Sequence, residues 1–438
     1  MGLMKTNRLS RAIRHCRYSG YWQASFSIFY LRNLGQLCYA SVGDFARLKK
    51  DSCRMEKLMV ELRTCWNYSV VLLLLPLTVT FSFNGCSKPT PSPAPKEESK
   101  PPGLLLRDYQ PKSMLVTEQH YLEKAKYPVI DDHNHLRESD PEQCLKAMNA
   151  TGVAQVVNLD GDWGDKLKEN IEKFEKKYPG RFLTYALVDW SKIDEPDFGI
   201  KAAAQLEADV KAGAHGLKIH KTLGLTIKDK SGKIVPVDDV RIDPIWAKCA
   251  ELKIPVEIHI GDPAAFFTPL DKFNERYEEL EFHPDWLFYP NYPALEEILR
   301  QGENVYARHP RTTFIGAHVG SQAENLKAVA ARLDKYRNYY VDIDARLSEL
   351  GRQPYSARKF LIKYQDRVLF GTDTPPDTEA YRLHWRFLET EDEYFDISKS
   401  HHFQGRWMVY GLNLPDQVLQ KLYFKNALKL IPGAAGKQ

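Results

Sequence analysis

Eight strand-like runs, each followed by a helical pattern, predict an α/β chain closed into a parallel (β/α)8 barrel, the TIM-barrel architecture. Three observations carry that expectation. The alternation repeats eight times across residues 105–432, and such repeats imply parallel strands joined by crossovers. Two strand-to-helix connections, after runs five and eight, are much longer than the rest. No glycine-rich GxGxxG turn follows the first run, which counts against the alternative, a doubly wound dinucleotide-binding sheet.

The runs cover residues 129–133, 153–159, 182–189, 216–220, 256–260, 313–318, 339–343 and 368–371. Helical patterns fall at 141–150, 165–177, 200–212, 244–252, 294–306, 322–336 and 357–364, with a last helix over 415–430. Asp140-Pro141 is a strong helix start, an N-cap acid followed by proline at the first helical position. The connection 264–293 carries Phe266, Phe267, Tyr277, Trp286, Phe288 and Tyr289. The connection 374–414 carries Tyr381, Trp385, Phe395, His401, His402 and Trp407. In a barrel both lie at the C-terminal face, where long ordered loops usually serve as lids. His215, His283, His309 and His384 read as loop or surface residues.

The 438 residues are 43% hydrophobic and 12% aromatic, enough for a large core. A net charge of +4, interspersed after residue 105, argues against a nucleic-acid binder. Seven cysteines are present, but only Cys144 and Cys249 follow residue 100, so no disulfide framework or CxxC site can be read.

Residues 1–54 hold ten Lys or Arg against two acids and show no apolar period. They read as a gene-model extension, with translation starting at Met55 or Met59; a basic arm is the other reading. Residues 55–86 read as an export signal: Lys57 and Arg63 precede an apolar run, 69–83, that is too short for a membrane span. Asn84-Gly85-Cys86-Ser87 then resembles a bacterial lipoprotein signal with Cys86 as the lipidated residue, although Phe83 departs from that pattern. A simple cleaved signal or a single anchor is the alternative. Each version places the protein in the cell envelope, lipid-anchored or periplasmic, and touching membrane only through that anchor. Residues 87–104 form a Pro/Ser-rich tether. The folded domain is 105–432, followed by a short tail, 433–438.

The chemistry lies at the strand ends. His133 and His135 alternate with one residue between them, so an extended strand turns both to one side. Lys218 and His220 end strand 4, His259 ends strand 5, His318 ends strand 6 and Asp373 ends strand 8. A barrel gathers these ends round one mouth. Several imidazoles and a carboxylate suit Zn2+ best among divalent metals, with Mn2+, Fe2+ or Ni2+ tolerable. On strand 7, Asp344 and Arg346 alternate with apolar residues and so face the mouth. Arg346 there is either a partner in a structural salt bridge or a clamp for a substrate carboxylate. Taken singly the others have plainer roles too: Asp373 as a cap acid, His318 as a core histidine, Lys218 as an ion-pairing lysine.

The ordered set HxH, Lys, His, His, Asp on strands 1, 4, 5, 6 and 8 resembles the amidohydrolase superfamily of metal-dependent barrels. The phrases FIGAHVG and VLFGTDTP, with Asn426-Ala427, resemble its amidohydrolase-related branch near the aminocarboxymuconate-semialdehyde decarboxylase relatives. The resemblance spans roughly 105–432. It implies His133, His135, His259 and Asp373 as metal ligands. In binuclear relatives Lys218 would be a carboxylated bridge and His318 a ligand of the second metal; otherwise His318 would touch the metal-bound water. It implies catalysis through a water whose pKa the metal lowers towards ~7, with Asp373 accepting its proton and His318 orienting the water or steadying the oxyanion. The leading expectation is hydrolysis of an amide, ester or lactone in a small molecule. The alternative is non-oxidative decarboxylation of an aromatic or unsaturated acid, and a catalytically inactive envelope binding protein is a further one. A homo-oligomer is compatible with each.

Overall fold

In the computed structural model, residues 103–105, 108, 109, 111–397 and 404–435 are described. The chain divides into residues 1–109 and 110–438, and the second unit holds the barrel. The extension, signal and lipidation readings, the tether reading up to residue 102, and His401 and His402 lie outside the described residues.

Eight parallel strands follow one another in sequence order: β1 (Val129–Asn134), β2 (Val153–Asn158), β3 (Phe182–Ala186), β4 (Gly216–Ile219), β5 (Val256–Ile258), β6 (Phe314–Gly316), β7 (Tyr339–Asp342) and β8 (Val368–Leu369). Asp132 N donates to Phe370 O at 2.9 Å and Asp373 N to His133 O at 2.9 Å, so the backbone of β8 returns to β1. The sheet is the (β/α)8 barrel expected from the alternation.

Period two explains why every strand is buried along its whole length. Val129, Val156, Phe182, Phe314, Tyr339 and Val368 pack outward into the large core under the helices. Their neighbours Ile130, Val157, Leu183, Ile315, Tyr340 and Leu369 turn inward and meet Tyr185 and Ile431, plugging the lower barrel. At Gly216 a Cβ would lie 2.4 Å from the Tyr185 ring, so only glycine leaves room for that tyrosine. Above the apolar layer the inward positions become charged, with Asp132, Lys218, Glu257 and Asp342 all buried.

The helices largely fall where the pattern put them. Pro141–Thr151 starts as expected, Asp140 accepting from Glu142 N at 3.1 Å. The segment expected as one helix over 165–177 is α-helical over Gly164–Ile171 and widens to a π-helix over Glu172–Lys176. The expected 322–336 helix begins only at Leu326, where Asn325 caps it. The residues before it make a tight left-handed turn, with φ 61° at His318, 56° at Val319 and 61° at Gly320.

The connection after β8 departs most from expectation. It contains a helix, Thr378–Glu389, with buried Tyr381, His384 and Trp385. Tyr381 and Trp385 stack at 5.7 Å inside the core, so these aromatics belong to the barrel wall. His384, expected at the surface, is buried and turns Nδ1 to Ala380 O at 2.7 Å. Ala380, Tyr381, Trp385, Phe387 and Leu388 are buried together along this helix, and their apolar face outweighs the polar pattern that made the segment look like a loop.

Candidate metal centre

Two elements set the position of Asp373. Its amide is tied to β1, and its φ is 62°, a left-handed turn that strand continuation would not give. Asp131 braces this turn from behind: Thr372 N and Oγ1 donate to its carboxylate at 3.1 and 2.7 Å, and Tyr381 OH donates at 2.8 Å. Burial raises the Asp131 pKa to about 6.

The Asp373 carboxylate lies 3.3 Å from His135 Nε2 and 3.6 Å from His133 Nε2. One donor atom from each of the three falls within 4.8 Å of the others. The far ring nitrogens are already engaged. His135 Nδ1 meets Asp160 at 2.9 Å, and His133 Nδ1 meets Asp342 at 3.0 Å and Asp344 at 2.8 Å. Such outer carboxylates fix the tautomer and leave Nε2 for a metal. Burial lowers His133 to about 4, keeping it neutral as a ligand must be. Burial also pulls on His135, but the hydrogen bonds to Asp160 and Asp373 outweigh it and hold it at about 9. Asp373 stays ionised despite its burial, because His135 donates to it and the neighbouring imidazoles attract it. Two oriented imidazoles and an ionised carboxylate fit a divalent cation, which would take the place of the proton between His135 Nε2 and Asp373.

His318 and His259 form the adjoining layer. His318 N donates to Asp342 at 2.8 Å and to Asp344 at 2.7 Å, which the left-handed turn permits. Its Nδ1 lies 2.9 Å from Asp344, and its Nε2 lies 3.2 Å from His259 Nδ1. His259 Nε2 faces Asp262 at 3.4 Å, and Lys221 donates to the same acid at 2.6 Å. His259, expected as a ligand, is thus not in the His133–His135–Asp373 group; it stands one ring further along, against His318. Burial, then the neighbouring His318, push its pKa well down.

Lys218 meets His133 on the ring edge that faces Asp373. Its Nζ is 3.0 Å from His133 Nε2, and the side chain is 1% exposed. His220 lies beside His135 at 5.6 Å between centroids and is lowered to about 3 by burial and by Lys218.

Beneath the site, Asp342 and Asp344 divide the charge. Burial and the neighbouring Asp344 push Asp342 well up, while His133 and His318 hold Asp344 well down despite burial. A cavity of about 240 Å3 opens above, reaching His318 and Asp373 and walled by Phe266, Trp286, Lys221 and Arg346. Of the aromatics expected over the mouth, Phe266 and Trp286 do line it. Trp407 packs on the guanidinium of Arg352 at 3.8 Å instead.

Sequence reasoning named the imidazoles and Asp373 but missed the residues that hold them. Asp160 closes the phrase after β2, and Asp262 follows His259 by three residues. Asp342 sits two before Asp344, on the same face of β7. The DxD spacing on a strand end was the one available signal.

Residues 117–433 match the family described as amidohydrolase. No curated protein matches the chain. Solved structures similar to it include an uncharacterised TIM-barrel protein from Bordetella bronchiseptica, at 17% identity over 70% of this chain and 99% of that one, TM-score 0.44. Another is a 2,6-dihydroxybenzoate decarboxylase from Rhizobium, at 16% identity over 69% and 98%, TM-score 0.44. A third is a dihydroxybenzoic acid decarboxylase from Polaromonas with bound manganese, at 15% identity over 69% and 96%, TM-score 0.45.

Proposed function

Because the chain belongs to the amidohydrolase family of metal-dependent enzymes, we propose that it is a one-metal carboxy-lyase that removes CO2 from a small aromatic or unsaturated acid. The observation that carries this choice over hydrolysis is the placement of Lys218. A hydrolase reading gives that lysine work in the mouth, bridging two metals or meeting an oxyanion. Here its Nζ meets His133 Nε2 at 3.0 Å inside the barrel, and it is buried and does not line the cavity. Its charge faces the buried carboxyls Asp132 and Glu257 and draws both down against the stronger pull of burial, which ties it to the barrel interior.

His133, His135 and Asp373 would hold the metal, while His259 stands against His318 and Asp262. The bound ion would supply electrostatic stabilisation of the charge that develops when the carbon–carbon bond breaks. The chain supplies the rest. Asp344 fixes His318 through Nδ1 and His259 meets its Nε2, and this imidazole, which lines the cavity, would pass a proton to the carbon left behind. The bond to the carboxylate breaks, its electron pair remains on that carbon, the proton joins it, and CO2 departs. Phe266 and Trp286 offer flat apolar walls for an unsaturated ring.

A second reading rests on Asp373. Held ionised beside His135, it is poised to accept a proton from an attacking water, which is what hydrolysis of a lactone or amide needs. The test is a panel of aromatic acids, lactones and amides offered to protein loaded with Zn2+ or Mn2+, in D2O. Release of CO2 with one deuterium on the product carbon supports the lyase. Lactone or amide opening without CO2 selects the hydrolase, and turnover of nothing with full metal occupancy points to a binding protein.

We also propose export through the apolar run 69–83, with the mature chain beginning at lipidated Cys86. Mass spectrometry of the mature N-terminus tests it, and a mature protein retaining residues 1–54 would overturn it.

A further inference from the structure

Among the described residues, three cations line the cavity above the metal centre: Lys221, Arg276 and Arg346. Two are neutralised by the protein. Lys221 is paired with Asp262 at 2.6 Å, and Arg276 with Glu279 at 2.8 Å and with Glu349. Arg346 is different. It is 5% exposed, yet among the described residues no carboxylate approaches it within 4.0 Å, and its hydrogen-bond partner is one backbone carbonyl, Ala345 O at 2.9 Å. Glu349, Glu279 and Glu324 act on Arg346 only at longer range, and each is committed elsewhere: Glu349 and Glu279 to Arg276, and Glu324 to Ala264 N at 3.0 Å.

A guanidinium carries five N–H donors in a rigid fork, and one carbonyl uses a single donor. Withdrawing such a charge from water without a partner is costly, so buried arginines are normally paired. The backbone that presents it is itself unusual. Ala345 adopts φ 50°, a left-handed conformation disfavoured for a residue with a Cβ, immediately after β7. That turn brings Arg346 to the wall of the same cavity that reaches His318 and Asp373. The salt bridge that strand periodicity offered as one role for Arg346 is not formed among the described residues.

We propose that Arg346 is the carboxylate-binding residue of the substrate site, and that it selects small organic acids by fork-on recognition of the anion. The inference rests on the preceding reading only in taking this cavity as the substrate site; it holds for a lyase and for a hydrolase of an acidic substrate alike. Lys221 and Arg276 leave the task to Arg346 because their donors already face Asp262, Glu279 and Glu349. A bidentate, charge-assisted contact of this kind discriminates sharply between a carboxylate and an uncharged group of equal shape.

Benzoate and benzamide are suitable probes, being alike in size and differing in charge. Isothermal titration of each into the full-length, Zn2+-loaded protein should show benzoate binding at least about tenfold tighter than benzamide. Arg346→Gln should erase that preference while leaving metal content by elemental analysis unchanged. Arg346→Lys, which keeps the charge without the fork, should fall between and carries the test if the glutamine variant does not fold. Wild-type protein that binds the two probes equally would overturn the proposal, as would an Arg346→Gln variant that still prefers benzoate. Neither outcome depends on whether CO2 is released, so failure here is separable from failure of the lyase reading.

Discussion

Lys218 Nζ lies 3.0 Å from His133 Nε2, with both side chains out of solvent. A cation beside a ligand imidazole is tolerable because the carboxyls of Asp132 and Glu257 stand close by. Lys218 therefore offsets buried acid. Lys218→Met should destabilise the fold by about 1–3 kcal/mol, the usual cost of leaving buried polar groups without their partner. Denaturant titration of the two proteins measures it. A variant as stable as wild type but without turnover would return Lys218 to the cavity, and with it the case for hydrolysis.

His133 and His135 each present Nε2 towards Asp373 while an outer carboxylate occupies Nδ1. The double variant His133→Ala/His135→Ala should lose the bound metal, read by elemental analysis after gel filtration. Retention of a full equivalent would show that the ion sits elsewhere in the barrel.

Asp344 orients two imidazoles at once, lying 2.8 Å from His133 Nδ1 and 2.9 Å from His318 Nδ1. Asp344→Asn should weaken metal affinity about 10–100-fold, the range typical for loss of an outer-shell carboxylate. It should also lower turnover at saturating metal, because His318 loses its anchor. Competition with a chromophoric chelator separates the two effects; unchanged affinity and unchanged turnover would make Asp344 a structural acid only.

The barrel was legible because its strands are short apolar runs alternating with helical patterns, and because each run that matters ends in a residue with metal chemistry. His133, His135, His318 and Asp373 could be named from those ends alone. The helix Thr378–Glu389 was not legible: Tyr381 and Trp385 look like lid aromatics until one sees that they stack inside the core. The supporting acids were hidden for a different reason. Asp160 and Asp342 act through contacts between different strands, Asp262 through a turn three residues past His259, and a solvated loop acid looks the same as a buried one in a linear string. The role of Lys218 turned on burial, which strand alternation cannot distinguish from facing the mouth, since both are inward.

The buried acids also set how metal-free protein responds to pH. Burial raises Glu257 from an ordinary 4.5 to about 8, with Lys218 pulling the other way. Between those values the folded chain holds a proton that the unfolded chain has released, so stability falls as pH rises through that window. Asp132 and Asp342, also pushed up by burial, act in the same sense. So does His135: raised to about 9, it contributes stability fully present below 6.5 and lost as pH climbs through 9. His133 and His220, lowered to about 4 and about 3, act oppositely, but only as pH drops below 6.5. The interval from 6.5 to 8 therefore isolates the groups that lose stability on rising pH. Glu257→Gln cannot ionise, so its unfolding free energy, measured by denaturant titration in EDTA, should fall less steeply across that interval than wild type. At pH 8 its deficit relative to wild type should be smaller than at pH 6.5. Parallel profiles for the two proteins would mean that Glu257 is already ionised in the fold, with Lys218 as its ion-pair partner.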